Sequence, residues 1–110
     1  MAKVIITNEL KNEILKKFKR ESKEIFSLLL TLEENPKKGK FLSLIGDIAL
    51  KELKHKSFRF YFITNNYKIK FLKVEELQNF VIKFMRMSDK KSQEKVIEEI
   101  KKILKLKDNP

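Results

Sequence analysis

Apolar and polar residues alternate with a period of two over three segments in the middle of the chain, 49–55, 57–64 and 67–73. Successive side chains of a β-strand point to opposite faces, so this period predicts three strands with one apolar and one polar face. Asn65 and Asn66 separate the last two segments, and asparagine tolerates the left-handed backbone of a tight turn. The three segments are expected to form an antiparallel meander.

Helical spacing dominates before the meander. The β-branched run at 3–7 is typical of a short strand, and Asn8 after it is a residue type that favours a helix N-cap. The first apolar stripe consists of Leu10, Ile14 and Phe18. A second stripe begins at Ser22 and is stopped by Pro36, after which 37–46, with both glycines of the chain, is expected to be a loop. A strand followed by a helical hairpin is therefore predicted.

After the meander, the polar segment 75–79 precedes FVIKFMRM at 80–87, which predicts one more strand. Ser88 and Asp89 fit the cap of a final helix. The apolar positions of that helix are Val96, Ile97, Ile100, Ile103 and Leu104. The predicted order is β-α-α-β-β-β-β-α in a single domain over 1–110. This is an α+β fold, with the N-terminal strand and helical hairpin on one face of a mainly antiparallel sheet of four to five strands, followed by a C-terminal helix.

Composition excludes several kinds of site and partner. The chain has no cysteine and one histidine, His55, so a disulfide framework, a thiolate metal site and a site with two imidazoles are all excluded. We expect no metal and no cofactor. No apolar stretch approaches the roughly 20 residues of a membrane span, and the N-terminus lacks the layout of a signal peptide. A cytoplasmic protein that does not associate with membranes is expected.

Positive charge is concentrated in the predicted meander. The formal net charge of the chain is +11. Segment 8–36 contains six basic and six acidic residues, whereas 51–73 contains seven basic residues against Glu52 alone, a net of +6. A general lysine bias would not sort charge in this way. The distribution favours a polyanionic partner such as RNA, bound at the strands.

The alternation in 57–64 places the basic residue and the phenylalanines on opposite faces of the predicted strand. One side of the strand carries three phenylalanines, Phe58, Phe60 and Phe62, and the other carries Arg59 and Tyr61. If the helical hairpin covers the phenylalanines, the opposite face is open, basic and partly aromatic. Such a face suits RNA, because cations neutralise phosphates and a tyrosine ring stacks on an unpaired base. The alternative is an ordinary solvated sheet face.

The order of elements and three segments carry a family resemblance. These are LTLEENPKKGKFLSLIGDIALKELKH, SFRFYFI and IKFMRMSDKKSQEKVIEEIKK. They resemble the RelE/ParE superfamily of toxin–antitoxin systems, the RelE and HigB branches most. In that family the helical hairpin ends in a loop of the type formed here by 34–36, and an arginine near the start of a following strand matches Arg59. The resemblance implies a RelE-like fold over nearly the whole chain.

The resemblance also implies a function, the toxin component of a type II system. Such toxins cleave mRNA, typically on the ribosome and without a metal, and inhibit translation. The ribose 2′-OH attacks its own 3′ phosphate, which requires a base, a charge stabiliser and an acid. The expected partners are a cognate antitoxin, mRNA and the ribosome. Two alternatives remain open: an inactive RNA-binding or ribosome-binding protein of the same fold, and a ParE-like inhibitor of DNA gyrase.

Site residues follow from this interpretation. Arg59 is expected to stabilise the phosphorane charge, Lys54 or His55 to transfer protons, and Arg86 or Lys90 to hold the phosphate or the leaving oxygen. His55 also fits an ordinary solvated residue at the end of a strand. The residues expected to bind RNA are Lys51, Lys56, Tyr61, Lys68, Lys70, Lys83, Lys90 and Lys91.

Overall fold

The helices and strands are known from a computed structural model, which describes residues 2–65, 67–87 and 89–105. Within these ranges the elements are β1 (Lys3–Ile6), α1 (Asn8–Phe18), α2 (Ser22–Leu30), β2 (Lys40–Ile45), β3 (Ile48–His55), β4 (Phe58–Asn65), β5 (Lys68–Leu72), α3 (Val74–Arg86) and α4 (Lys90–Lys105). Short 3-10 turns, Lys19–Glu21 and Thr31–Glu33, follow the first two helices.

The strands form one mixed sheet in the order β1-β5-β4-β3-β2. β1 pairs with β5 in parallel, and the other neighbouring strands pair antiparallel. The predicted α+β class, the N-terminal strand, the helical hairpin and the mainly antiparallel sheet are confirmed. β2 is an addition, because 37–46 was expected to be a loop and instead supplies the edge strand Lys40–Ile45.

The helical hairpin of α1 and α2 packs on one face of the sheet, here called the first face. Its core joins helix residues such as Ile14 and Ile25 to Phe62 and Phe71 of the central strands. Fully burying such side chains stabilises a fold by about 1.5–3 kcal/mol each. Helix α1 begins one residue earlier than expected, because the Thr7 hydroxyl, not Asn8, accepts the cap hydrogen bond from the Leu10 amide at 3.3 Å.

The strand predicted at 80–87 is wrong, because these residues belong mostly to helix α3. The polar segment before them forms the first turns of the helix, and the Glu76 carboxylate accepts a hydrogen bond from the Lys73 amide at 3.1 Å. The apolar residues that pack inward are Leu77, Phe80, Val81 and Phe84. Their i, i+3, i+4, i+7 spacing is helical, and a short apolar run does not by itself distinguish a strand from a helix.

Helices α3 and α4 cover much of the opposite face of the sheet, called the second face. There Ile63 and Leu72 of the strands are buried with Leu77, Val96 and Ile100 of the helices. The prediction that this face is open is therefore wrong at its centre. The expected strand at 80–87 would have extended the sheet, whereas the helix that forms instead folds back over it.

Helix α4 is the longest helix of the described ranges and confirms the predicted C-terminal helix. Asp89 caps it, its carboxylate accepting from the Ser92 amide at 2.8 Å, while Ser88, predicted to cap with it, lies outside the described residues. No helix in these ranges is both long and apolar enough to cross a bilayer.

Candidate nucleic-acid interface

Two cations predicted to be catalytic, Lys54 and Arg59, lie directly opposite each other on β3 and β4. Directly opposed residues of an antiparallel pair project their side chains from the same face, here the second face. His55 opposes Phe58, so a two-residue turn follows the pair and fixes its register. Arg59 is 55% exposed, and Lys54 is exposed as well. The sheet thus presents two neighbouring cations where α3 and α4 leave it uncovered.

A carboxylate that the sequence interpretation did not use accompanies this pair. Glu52 lies opposite Tyr61 on one side and Lys40 on the other. It is 8% exposed, and its Oε1 lies 3.8 Å from Arg59 Nε. Period-two alternation already placed Glu52 and Lys54 on one face, which was the signal available in the sequence. We call Lys40, Glu52, Lys54 and Arg59 the Arg59 surface.

A cleft of about 250 Å³ opens beside Arg59, between α1, β4 and the start of α3. Lys17 approaches it from α1 and lies 4.6 Å above the ring of Phe58. Lys73 lines the opposite wall and pairs with Glu13 at 3.3 Å. That hydrogen bond to the Glu13 carboxylate raises the pKa of Lys73. The cleft therefore continues the positive charge of the Arg59 surface toward α1.

His55, expected to act with Lys54, projects from the first face instead, because adjacent strand residues alternate. Its Nε2 lies 3.6 Å from Glu21 Oε1 in the turn between the first two helices. Lys56, in the β3–β4 turn, also pairs with Glu21. A hydrogen bond to Glu21 raises the pKa of Lys56, and the same contact lowers that of the Glu21 carboxyl. The structure does not bring His55 into the Arg59 surface.

Three residues expected to bind RNA are held by the protein itself. Lys70 is 3% exposed, and its Nζ donates to the carbonyl of Ile103 in α4 at 3.1 Å. Tyr61 packs against the core beneath α3 and α4. Lys51 lies on the first face, donates to the Lys37 carbonyl at 3.1 Å, and has a pKa lowered by burial. The expected row of outward cations is broken for two reasons: the helices that follow the strands in the chain cover Lys70 and Tyr61, and strand alternation turns Lys51 to the first face.

The other predicted cations are dispersed. Arg86 is exposed in the last turn of α3, and Lys83 in the same helix pairs with Glu99 at 3.0 Å. Lys68 is exposed at the start of β5. Lys90 and Lys91 are exposed in the first turn of α4. The strand register that joins Lys54 to Arg59 extends to none of these residues.

The Arg59 surface combines the groups that recognition of a phosphodiester requires. The guanidinium offers forked donors to phosphate oxygens, Lys54 and Lys40 add charge, and the Glu52 carboxylate accepts a proton or a hydroxyl hydrogen bond. Comparison with protein-family models, with curated proteins and with solved structures gives no match for this chain.

Proposed function

We propose that the chain binds RNA at the Arg59 surface and cleaves it as a metal-independent endoribonuclease, in the manner of the RelE/HigB-like toxins that its sequence resembles. The observation that carries the proposal is the exposed cross-strand pair of Lys54 and Arg59 with Glu52 buried beside it. The expected target is mRNA on the ribosome, and the expected regulator is a cognate antitoxin.

Charge and position support this function. The Arg59 surface holds three cations and one carboxylate, and the adjacent cleft adds Lys17. Arg59 lies on a paired strand rather than a loop, so its backbone is held in place while the exposed guanidinium is free to reach a phosphate. A strand-borne arginine beside an acceptor is a better candidate for chemistry than the dispersed surface lysines of α4.

The reaction assigns a task to each of three side chains. The ribose 2′-OH attacks the adjacent phosphorus, the bond to the 5′ oxygen breaks, and the products are a 2′,3′-cyclic phosphate and a 5′-OH. Arg59 stabilises the charge of the phosphorane. When the phosphate draws Arg59 away from Glu52, the freed carboxylate accepts the 2′-OH proton, and Lys54 donates a proton to the leaving oxygen.

A second candidate, RNA binding without cleavage, is favoured by the position of His55. This residue, expected to complete an acid–base pair with Lys54, lies on the other face, beside Glu21. If Glu52 does not replace it as the base, the Arg59 surface retains phosphate affinity without catalysis. Product analysis distinguishes the two functions.

The test compares the wild-type chain with Arg59→Ala and with Arg20→Ala, an exposed arginine in the turn after α1 that serves as the matched control. Each protein is added to a reconstituted translation reaction, and separately to ribosome-free RNA with EDTA present, and the RNA ends are mapped. We expect wild type and Arg20→Ala to release fragments with 2′,3′-cyclic phosphate ends, and Arg59→Ala to lose at least a hundredfold in rate.

Circular dichroism must show that Arg59→Ala keeps its fold. Equal cleavage by the Arg59→Ala and wild-type proteins would overturn the assignment. Arg59-dependent RNA binding with intact mRNA would replace the endoribonuclease by the binding function. Fragments with other ends, or cleavage of ribosome-free RNA that EDTA abolishes, would exclude the metal-independent reaction.

A further inference from the structure

A second group of polar side chains lies on the first face, where the β3–β4 turn meets the connection between α1 and α2. Ligand atoms of Glu21, Glu24 and His55 all lie within 4.8 Å of one another. The His55 side chain is only 10% exposed. Its Nε2 is buried and has no hydrogen-bond partner among the described residues, although it faces Glu21. A buried imidazole nitrogen without a partner is unfavourable, so this atom is a candidate for a ligand contact.

We infer that Glu21, Glu24 and His55 bind a divalent transition-metal ion, with Zn²⁺ the best-suited ion. The expectation of no metal rested on the absence of cysteine and of a second histidine, and one imidazole with two carboxylates is a donor set that it did not consider. Zinc accepts nitrogen and carboxylate oxygen ligands together, whereas Mg²⁺ and Ca²⁺ prefer oxygen alone. Water completes the coordination.

The distances suit such an ion. Nε2 and the nearer Glu21 oxygen are 3.6 Å apart. An ion bonded to each at about 2.1 Å would subtend an angle of roughly 115–120° between them, near the tetrahedral value. The widest separation within the group, up to 4.8 Å, must shorten by about 1 Å for the same geometry. Glu24 is exposed in the first turn of α2, and an exposed side chain there can make that movement without disturbing the core.

Lys56 is the competitor for this site, because its ammonium pairs with Glu21. The carboxylates of Glu21 and Glu24 carry two negative charges, and Lys56 supplies only one positive charge. A divalent ion therefore neutralises the site better than Lys56 does. Lys56 is exposed in the β3–β4 turn and leaves without disturbing the core. Metal binding would then join the turn beside Lys54 to the helical hairpin, and stabilise the folded chain by an amount that grows with the logarithm of ion concentration above the Kd.

The test is titration of the metal-free, untagged chain with ZnCl₂, followed by calorimetry and by NMR of the imidazole. His55 is the only histidine, so its ring signals report this site alone. We expect one Zn²⁺ per chain, a shift of the His55 ring nitrogens and a rise in the unfolding temperature. His55→Ala and Glu24→Gln should each weaken binding at least tenfold, whereas Glu98→Gln, an exposed glutamate of α4, should not.

Lys56→Asn provides a test of opposite sign. The backbone of Lys56 has φ +55°, which asparagine tolerates, so the turn is kept. Removing the competing ammonium should tighten Zn²⁺ binding several-fold, an effect that simple damage to the fold would not produce. Unmoved His55 signals at saturating ZnCl₂, or equal binding by His55→Ala, would overturn the inference and leave His55 as a partner of Glu21 alone.

Discussion

The hydroxyl of Thr7 donates a hydrogen bond to the carboxylate of Glu76 over 3.3 Å, joining the start of α1 to the start of α3. Thr7 also accepts from the Leu10 amide, and Glu76 accepts from the Lys73 amide. Two helix N-termini on opposite faces of the sheet are thus stabilised by one pair of side chains. Each partner satisfies an amide that its helix leaves without an intrahelical acceptor.

Thr7→Ala should therefore lower the free energy of unfolding by about 1–2 kcal/mol, since the buried cap and the link to Glu76 are lost together. Thr31→Ala is the matched control, because its hydroxyl donates to the Leu28 carbonyl at 2.6 Å but is exposed. In Thr31→Ala the free energy of unfolding should fall by less than about 0.5 kcal/mol. Urea unfolding measures both, and equal losses would refute the role given to Thr7.

Docking of α4 on the sheet is tested at Gly46. Its φ is +62°, and a β-carbon added there would lie 2.5 Å from Ile97 Cδ1 in α4. Gly46→Ala should destabilise the fold by about 1–3 kcal/mol through backbone strain and overpacking. In the double variant with Ile97→Ala the clash is absent, so thermal unfolding should show a loss smaller than the sum of the two single losses. If the losses of stability in the two single variants were strictly additive, Ile97 would not contact position 46, and α4 would dock elsewhere.

Two lysines of neighbouring strands should differ in RNA binding. Lys54 is exposed beside Arg59, whereas Lys70 is buried beneath α4 and donates to Ile103. Lys54→Ala should weaken binding of single-stranded RNA and reduce the salt dependence of log K by about 0.7, the value for one lost phosphate contact. Lys70→Met should leave that slope unchanged in a fluorescence-anisotropy titration. If Lys70→Met weakened RNA binding and Lys54→Ala did not, the covered face would have to open to bind RNA.

Glu52→Gln separates binding from chemistry. Neutralising the carboxylate near Arg59 removes a negative charge from the Arg59 surface and frees the guanidinium, so RNA affinity at low salt should rise several-fold. The cleavage rate should fall by about a hundredfold or more, because the proposed base is lost. Single-turnover cleavage and anisotropy on the same protein measure the two effects. Unchanged cleavage would exclude Glu52 as the base.

Acid should weaken the cap of α4. Hydrogen bonds from Ser92, its amide first, hold the pKa of Asp89 below the ordinary value of 3.8. A carboxyl whose pKa is lower in the folded state stabilises the fold above its unfolded pKa and loses that effect as pH falls through the folded value. The difference in unfolding temperature between wild type and Asp89→Ala should be full at pH 7 and shrink below about pH 3.8. A difference that stayed constant from pH 7 to about pH 3 would overturn the role given to the Asp89 carboxylate.

The sequence predicted the parts of the fold that depend on local periodicity. Alternation at Phe60 and Phe62 correctly identified the strand and its buried face, and helical spacing at Leu10 and Ile14 correctly identified the first helix. The same spacing rule, applied to 80–87 alone, predicts a strand at Phe80 and Phe84, and the helical period appears only when Leu77 in the polar segment before them is included.

What could not be predicted depends on how distant segments meet. Lys70 was expected to be exposed, but α4 lies over it. The spacing of residues within β5 does not reveal that cover. The separation of His55 from Lys54 follows from strand alternation, but its approach to Glu21 depends on where the helical hairpin packs. The pairing of Lys54 with Arg59 was accessible in principle, since the short turn between their strands fixes the register.

Because α4 follows all five strands in the chain, the ribosome completes the sheet before it supplies the helix that covers the second face. Until Val96, Ile100 and Leu104 emerge, Ile48, Ile63 and Leu72 have no partner from α4. Synthesis is vectorial, and a growing chain in this state displays an apolar sheet surface that attracts other chains. The interval between emergence of β5 and docking of α4 is therefore one in which the apolar second face is open to contact with other chains.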